Sequence, residues 1–301
     1  MRALRIGLVG LGKIALDQHI PAIRSGVAFE LVAGAGRAPT GIGVPVFEDF
    51  RAMLDAFALD AVVLATPPAP RYTIARVFLE GGVDVLLEKP LCSTLGEAQE
   101  LALLAGRTGR VVFGAWHSRY NEAVQRAAVI TQSEGIATMS IEWLENAEKW
   151  HPGQRWIWEA GGFGVFDSGM NALSIATRLS AETLTIESAD LTLHEAGQQA
   201  IAADVMLRAA SSPQPFQARF DWRHQGEERW NIDIRTFAGT HLMLERGGAE
   251  LSIDGHRIET QSDEYPTLYD EFAHLIAARK SDLDAEPLRL VADIFMKARR
   301  L

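Results

Sequence analysis

The chain of 301 residues holds a single cysteine, Cys92, so an internal disulfide is impossible and a zinc site built on several thiolates is excluded. A reducing, cytoplasmic setting is expected. No run approaches the ~18 consecutive apolar residues that a membrane-spanning helix needs. The apolar stretch Leu4 to Leu11 is short and is followed by Lys13 rather than by a small-residue cleavage site, so neither a membrane partner nor a leader peptide is expected. None of the eight histidines is spaced i, i+3 or i, i+4 from another, which argues against a metal centre. Positive charge is scarce as well, with 29 Lys/Arg against 39 Asp/Glu and a net charge of −10. An acidic surface repels phosphate backbones, so nucleic acid is not an expected partner. No nucleophile elbow or Ser/His constellation is present, and hydrolysis is not favoured.

What is present is unevenly placed. Residues 1–116 carry 11 Lys/Arg and 11 Asp/Glu, whereas residues 117–301 carry 18 and 28, so the negative excess lies wholly in the second part. Tryptophan divides the same way: none precedes Trp116, and six of the seven follow residue 140. At about 150 residues per domain two domains fit the length. The boundary is expected near 116, giving domains 1–116 and 117–301.

The first part alternates apolar runs with helical spacing. Leu4–Val9, Phe29–Ala35, Ala61–Ala65, Val83–Leu87 and Val111–Gly114 read as buried strands, and 13–19, 48–57, 72–80 and 95–108 as helices, the first broken or restarted at Pro21. Continuous apolar strands separated by helices describe a parallel sheet covered on both faces, a doubly wound α/β domain. The second part has period-2 strands instead. Met139, Ile141 and Trp143 form one such face, as do Phe216, Ala218, Phe220 and Trp222, and Trp230, Ile232 and Ile234. Turn signals between them, such as Gln225-Gly226, Gly247-Gly248 and Asp254-Gly255, predict hairpins and a mainly antiparallel, meander-like open sheet. Helices at about 166–179, 267–279 and 287–300 can cover one face of it. The last helices can also pack back toward the first domain, and the open sheet face offers a surface for a second copy of the chain.

Gly10-Leu11-Gly12-Lys13-Ile14-Ala15 follows a strand and opens a helix. Small residues there let a pyrophosphate approach the backbone, where free N–H groups at the helix start meet its charge. A tight strand-to-helix turn that binds nothing has the same pattern, but its place in the first βαβ unit favours a dinucleotide. The second strand ends Ala35-Gly36-Arg37 with no carboxylate to repel a 2′-phosphate. A guanidinium there pairs with such a phosphate bidentately, which predicts NADP, alongside NAD. Thr66-Pro67-Pro68 and Glu88-Lys89-Pro90 both follow strands and supply a second wall for the cofactor. The Lys89-Pro90 bond is a candidate for the cis form.

These segments resemble the Gfo/Idh/MocA oxidoreductase family over essentially the whole chain. The resemblance is carried by the glycine turn, Asp60–Pro68 (DAVVLATPP), Leu87–Leu91 (LEKPL), Gly114–Asn121 (GAWHSRYN) and Gly161–Asn171 (GGFGVFDSGMN). Within the family, Trp150–Trp158 (WHPGQRWIW), Phe166–Ile175 (FDSGMNALSI) and Phe220–Arg223 (FDWR) look most like bacterial aldose 1-dehydrogenases acting on L-arabinose and D-galactose. The resemblance implies oxidation of the anomeric carbon of a pyranose to an aldonolactone with NAD or NADP. It places the family's lysine on Lys89 and its aspartate on Asp167. The position that is His in many members is Asn171 here, a departure that removes a His-based acid/base role but is shared with the aldose subgroup. Glu145 and His151 match that subgroup's substrate contacts, and Trp116, His117 and Trp150 lie in the matching segments. Relatives that oxidise another ring carbon of a cyclitol or glycoside, and relatives that sense nucleotides without turnover, are the alternatives.

The residues themselves suit such chemistry. Oxidising a hemiacetal carbon requires a base for the anomeric proton. Asp167 and Asn171 are spaced i, i+4, on one helix face. Gly161, Gly162 and Gly164 before that helix would let a ligand approach the backbone, or form a plain loop. Glu145 extends the face of Met139, Ile141 and Trp143, which sets its carboxylate at the edge of buried surface. His151 sits among Trp150, Trp156 and Trp158, where aromatic faces suit the C–H faces of a sugar; such a histidine is otherwise a packed core residue.

Overall fold

The structure is a computed structural model that describes residues 2–37, 42–194 and 199–301. The chain forms two compact units, Met1–Ala115 with Tyr265–Ala285 and Trp116–Glu264 with Glu286–Leu301.

In the first unit the apolar runs become β1 (Leu4–Val9), β2 (Phe29–Ala35), β3 (Val46–Phe47), β4 (Ala61–Leu64), β5 (Asp84–Glu88) and β6 (Val112–Ala115). All neighbours are parallel, in the order β3-β2-β1-β4-β5-β6. Every residue of β4 and β5 is buried, as strands covered on both faces require. The two-residue β3 has no apolar run long enough to be read from sequence.

The helices of this unit are α1 (Ile20–Ser25), α2 (Phe50–Ala56), α3 (Pro68–Glu80) and α4 (Leu95–Thr108). The expected restart at Pro21 occurs where a π-type segment, Ala15–His19, passes into α1. Helix α2 starts at residue 50 rather than 48 because the Asp49 side chain caps it, accepting from Arg51 N at 3.0 Å. Helix α3 begins at Pro68, not Tyr72, since proline is tolerated at the first helical position where its missing N–H costs nothing. A capping box between Thr94 and Glu97 starts α4, and Gly109 at φ +63° ends it.

The second unit is built on β7 (Ile136–Leu144), β8 (Thr185–Leu193), β9 (Ala200–Arg208), β10 (Phe216–Asp221), β11 (Arg229–Thr236), β12 (His241–Glu245), β13 (Glu250–Ile253), β14 (His256–Ile258) and β15 (Arg299–Arg300). Helices α5 (Glu122–Glu134), α6 (Ala147–Trp150), α7 (Phe166–Leu179) and α9 (Glu286–Lys297) belong to it, while α8 (Glu264–Ala278) lies almost wholly in the first unit. The sheet is mainly antiparallel, with the order β14-β13-β12-β11-β7-β10-β9-β8-β15. A simple meander is therefore corrected. Strand β7 inserts between β10 and β11 and runs parallel to β10, a non-local pairing that turn chemistry cannot report. Arg299–Arg300, expected at the end of a helix, instead pairs in parallel with β8.

Helix α7 buries most of its surface, with Phe166 against Phe220 and Phe295 at centroid distances of 5.6 and 5.5 Å. Arg119 fixes it from the side through Ser174 O and Thr177 Oγ1, at 2.8 and 2.7 Å. Helix α8, one of the last helices, for which packing back toward the first domain is the second expectation, does so and sets Phe272 on Phe29 and Phe113 of the first unit, at 5.5 and 5.8 Å. The i, i+4, i+7 spacing of Tyr265, Tyr269 and Phe272 gives it one aromatic stripe, and Arg279 pairs bidentately with Asp84 beyond it. Among the described residues no helix is long and apolar enough to cross a membrane.

Candidate active site

In the first unit the strand order reverses between β1 and β4, and the loops leaving both strands meet there. This is the switch point at which open α/β sheets bind ligands. Gly10 has φ +92°, and a Cβ on it would stand 2.6 to 2.7 Å from the backbone of Ala65 and Thr66. Its lack of a side chain is thus demanded by the neighbouring loop. Gly12 differs, since a Cβ there would meet nothing within 4 Å. The backbone beside Gly12 is open to an approaching group, and Lys13 and Ile14 begin the helix whose first N–H groups lack intrahelical partners. Lys13 pairs with Asp17. Thr66 Oγ1 is buried and unpartnered on the adjacent loop. An open glycine, a helix start and an orphaned hydroxyl fit the diphosphate of a dinucleotide. Arg37 is exposed directly after Gly36, whose φ is +136°.

Pro68 is buried as the first residue of α3, and Pro67 is exposed before it. The Lys89-Pro90 bond is cis, and Lys89 is half-buried just past β5. Two buried side chains hold this segment, Glu88 of the LEKPL motif and Arg71, which no motif includes. Arg71, only 2% exposed, donates to the carbonyls of Thr66, Glu88 and Pro90, joining the loops after β4 and β5. The Glu88 carboxylate is turned inward, accepting from Tyr265 Oη at 2.7 Å and from the Lys89 N–H at 2.7 Å and meeting His19 Nε2 at 3.2 Å. The nearby Cys92 thiol is pushed up to about 12 by burial, which leaves it inert.

In the second unit Glu145 is deeper than the edge position expected for it, at 3% exposure. Its Oε1 accepts the indole N–H of Trp222 at 2.6 Å and its Oε2 that of Trp230 at 2.8 Å. Trp222 Nε1 also donates to Ser168 Oγ at 2.9 Å. Burial raises the pKa of Glu145 above the usual glutamate range, against the pull of Ser168, Trp230, Trp222 and His151. His151 packs on Trp222 with centroids 4.9 Å apart and brings Nε2 within 3.7 Å of Asp167 Oδ2. Its Nδ1 lies 3.4 Å from Gln154 Oε1. Asp167, itself buried, and half-buried Asn171 stand one turn apart on α7, and Asn171 Oδ1 is buried with no partner. Glu145, His151, Asp167 and the rings of Trp222 and Trp230 thus form one cluster, which Asn171 continues along α7.

Gly162 and Gly164 before α7 serve close packing against the neighbouring backbone. A Cβ on Gly162 would lie 2.3 Å from Trp156 O, and one on Gly164, at φ +53°, 2.2 Å from Ala200 O. Trp150 is joined to the cluster through Trp230, 5.6 Å between centroids, while its indole N–H goes to Glu228 at 2.6 Å. Trp116 is buried at 2% exposure, and His117 Nδ1 meets Glu264 Oε2 at 2.7 Å. The signal that sequence reading missed was chemical rather than positional: two tryptophans, Trp222 just past β10 and Trp230 in β11, whose N–H groups need acceptors once buried.

Fold and glycine turn together define a class, an oxidoreductase with a Rossmann-type dinucleotide domain. Residues 4–115 match the profile of an oxidoreductase family with an NAD-binding Rossmann fold. The chain belongs to this family, Gfo/Idh/MocA. It is 41% identical over 305 residues to galactose 1-dehydrogenase of Pseudomonas fluorescens, covering 100% of this chain and 98% of that protein. The crystal structure of a D-galactose-1-dehydrogenase protein from Rhizobium etli superposes with a TM-score of 0.94 at 45% identity, over 100% of this chain and 97% of that one. A 3-ketoreductase from Actinomadura kijaniata, crystallised with NADP and TDP-benzene, shares the fold with a TM-score of 0.85 at 19% identity, over 99% of both chains.

Proposed function

We propose that this oxidoreductase oxidises the anomeric carbon of an aldopyranose of the L-arabinose, D-galactose or D-fucose type to the aldonolactone. The observation that carries the reading is the buried Glu145 carboxylate, fixed by two indole N–H groups beside His151 and Asp167. Flat aromatic faces with a rim of carboxylate, imidazole and amide match a pyranose, which presents C–H faces and a rim of hydroxyls. Full-length likeness to two galactose 1-dehydrogenases supports it.

Asp167 takes the proton of the anomeric hydroxyl, directly or through Lys89, the two forming the acid/base pair. Glu145, His151 and Asn171 hold the ring hydroxyls, Asn171 through an Oδ1 that otherwise lacks a donor. Gly12 and the first N–H groups of the following helix receive the diphosphate, with Thr66 on the adjacent loop. When bound, the dinucleotide accepts the hydride. Arg37 favours NADP, with NAD also used.

The test is direct. Purified protein is incubated with NADP or NAD and a panel of aldoses and cyclitols, reduced nicotinamide is followed by absorbance, and lactone is trapped as the hydroxamate. Turnover with aldoses and lactone formation are expected. Turnover with cyclitols alone would move the reaction to another ring carbon, and no turnover with any sugar would leave a nucleotide-sensing regulator.

A further inference from the structure

The main chain around Lys89 is gripped by two buried charged side chains. The Lys89 N–H donates to Glu88 Oε2 at 2.7 Å, and the carbonyls on either side, of Glu88 and Pro90, both accept from Arg71 Nη1. Arg71 Nη2 reaches Thr66 O, which ties this segment to the end of β4. Behind Glu88 stand two more groups. Oε1 accepts from Tyr265 Oη at 2.7 Å and lies 3.2 Å from His19 Nε2, while His19 Nδ1 is 2.9 Å from Tyr269 Oη.

The chain of donors has one consistent direction. Burial, reinforced by the negative Glu88, pushes the Tyr269 hydroxyl well above the usual tyrosine range, so it remains an O–H donor. With Tyr269 Oη donating to His19 Nδ1, the arrangement that completes the chain has His19 Nε2–H donating to Glu88. Burying a guanidinium and a carboxylate is a poor route to stability, because apolar side chains filling the same space do as well or better. What charged side chains supply here is directionality: each backbone dipole beside Lys89 is held in one orientation.

We propose that Arg71 and Glu88 are positioning residues that fix the Lys89 ammonium for proton transfer, with His19 and Tyr265 acting through Glu88. This rests on the reading of Lys89 as an acid/base group.

Three variants, Tyr265→Phe, Glu88→Gln and Arg71→Lys, test it alongside Lys89→Met. For each we would measure kcat, the sugar KM, dinucleotide affinity by fluorescence titration, and the rate at which dilute acetic anhydride acetylates Lys89 relative to exposed Lys149, read by mass spectrometry. The clamp predicts kcat lowered about tenfold or more with KM and dinucleotide affinity within about twofold. It also predicts a Lys89 acetylation rate changed by about threefold or more, since the amine no longer sits in one place. Tyr265→Phe keeps the ring packing, so it carries the test if the charged-site variants fail to fold. Unchanged kcat and acetylation in folded variants, with Lys89→Met inactive, would overturn the clamp alone. Near-normal turnover in Lys89→Met would overturn the acid/base reading and the clamp with it.

Discussion

Glu145 and Trp222 are joined at two levels: the indole N–H donates to Glu145 Oε1 at 2.6 Å, and their main chains are laced together alongside. Glu145 N–H donates to Asp221 O at 3.0 Å, and Ala147 N–H to Trp222 O at 3.1 Å. This follows from the strand order, since β7 lies between β10 and β11 and each neighbour delivers a tryptophan to the residue just past the end of β7. A carboxylate with both oxygens already engaged by fixed donors presents its remaining lone pairs in set directions, which is what recognition of a hydroxyl pattern needs.

The same burial makes Glu145 a cost at neutral pH. Its folded pKa is raised, chiefly by burial, so its stabilising contribution is complete below the usual glutamate range and is lost as pH rises through the raised folded value. Glu145→Gln, which cannot ionise, should lack that decline. Melting curves from about pH 4 to about pH 8 should show the difference in Tm between wild type and Glu145→Gln moving against the wild type as pH rises. A difference that stays flat would show that the carboxylate is solvated after all. The variant should also raise the sugar KM by about tenfold or more.

The two glycines of the first loop should separate under substitution. Gly10→Ala forces a Cβ onto the Ala65–Thr66 backbone at a positive φ and should cost about 2 kcal/mol or more of stability. Gly12→Ala meets open space and should leave Tm within about 2 °C while weakening dinucleotide binding about tenfold. Calorimetry and fluorescence titration on both variants decide it. Equal loss of Tm in both would make the turn purely structural.

Much of this architecture is legible in the residues because local rules speak for it. The apolar runs Ala61–Ala65 and Val83–Leu87 announce buried parallel strands, and the helical spacing over 95–108 announces α4. What local rules cannot carry is pairing between distant segments. The insertion of β7 beside β10, the return of Tyr269 and Phe272 to Phe29, and the meeting of Arg71 with Glu88 and Pro90 each join positions that no spacing connects. Gly162 and Gly164 leave two readings open in the sequence for a related reason, since the atoms that fill the place of their missing side chains, at Trp156 and Ala200, are set by tertiary packing.

Arg37 offers a clean cofactor test because it is exposed and far from any packing role. Arg37→Ala should leave Tm unchanged and weaken NADP by about tenfold more than NAD, the loss of one charge-assisted phosphate contact. Comparing kcat/KM for the two dinucleotides measures it. Equal weakening of both would assign 2′-phosphate recognition elsewhere.

The proposed acid/base pair, Lys89 and Asp167, should show in kcat rather than in binding. Asp167 is buried with His151 Nε2 at 3.7 Å, so Asp167→Asn preserves shape and the chance of a hydrogen bond while removing the acceptor for a proton. Asp167→Asn and Lys89→Met should each lower kcat by about two orders of magnitude or more, with dinucleotide affinity little changed. Asn171→Ala, which deletes the amide proposed to hold a sugar hydroxyl, should act mainly on the sugar KM. If Asp167→Asn instead raises KM with kcat intact, the carboxylate only binds, and the proton leaves by way of Lys89 alone.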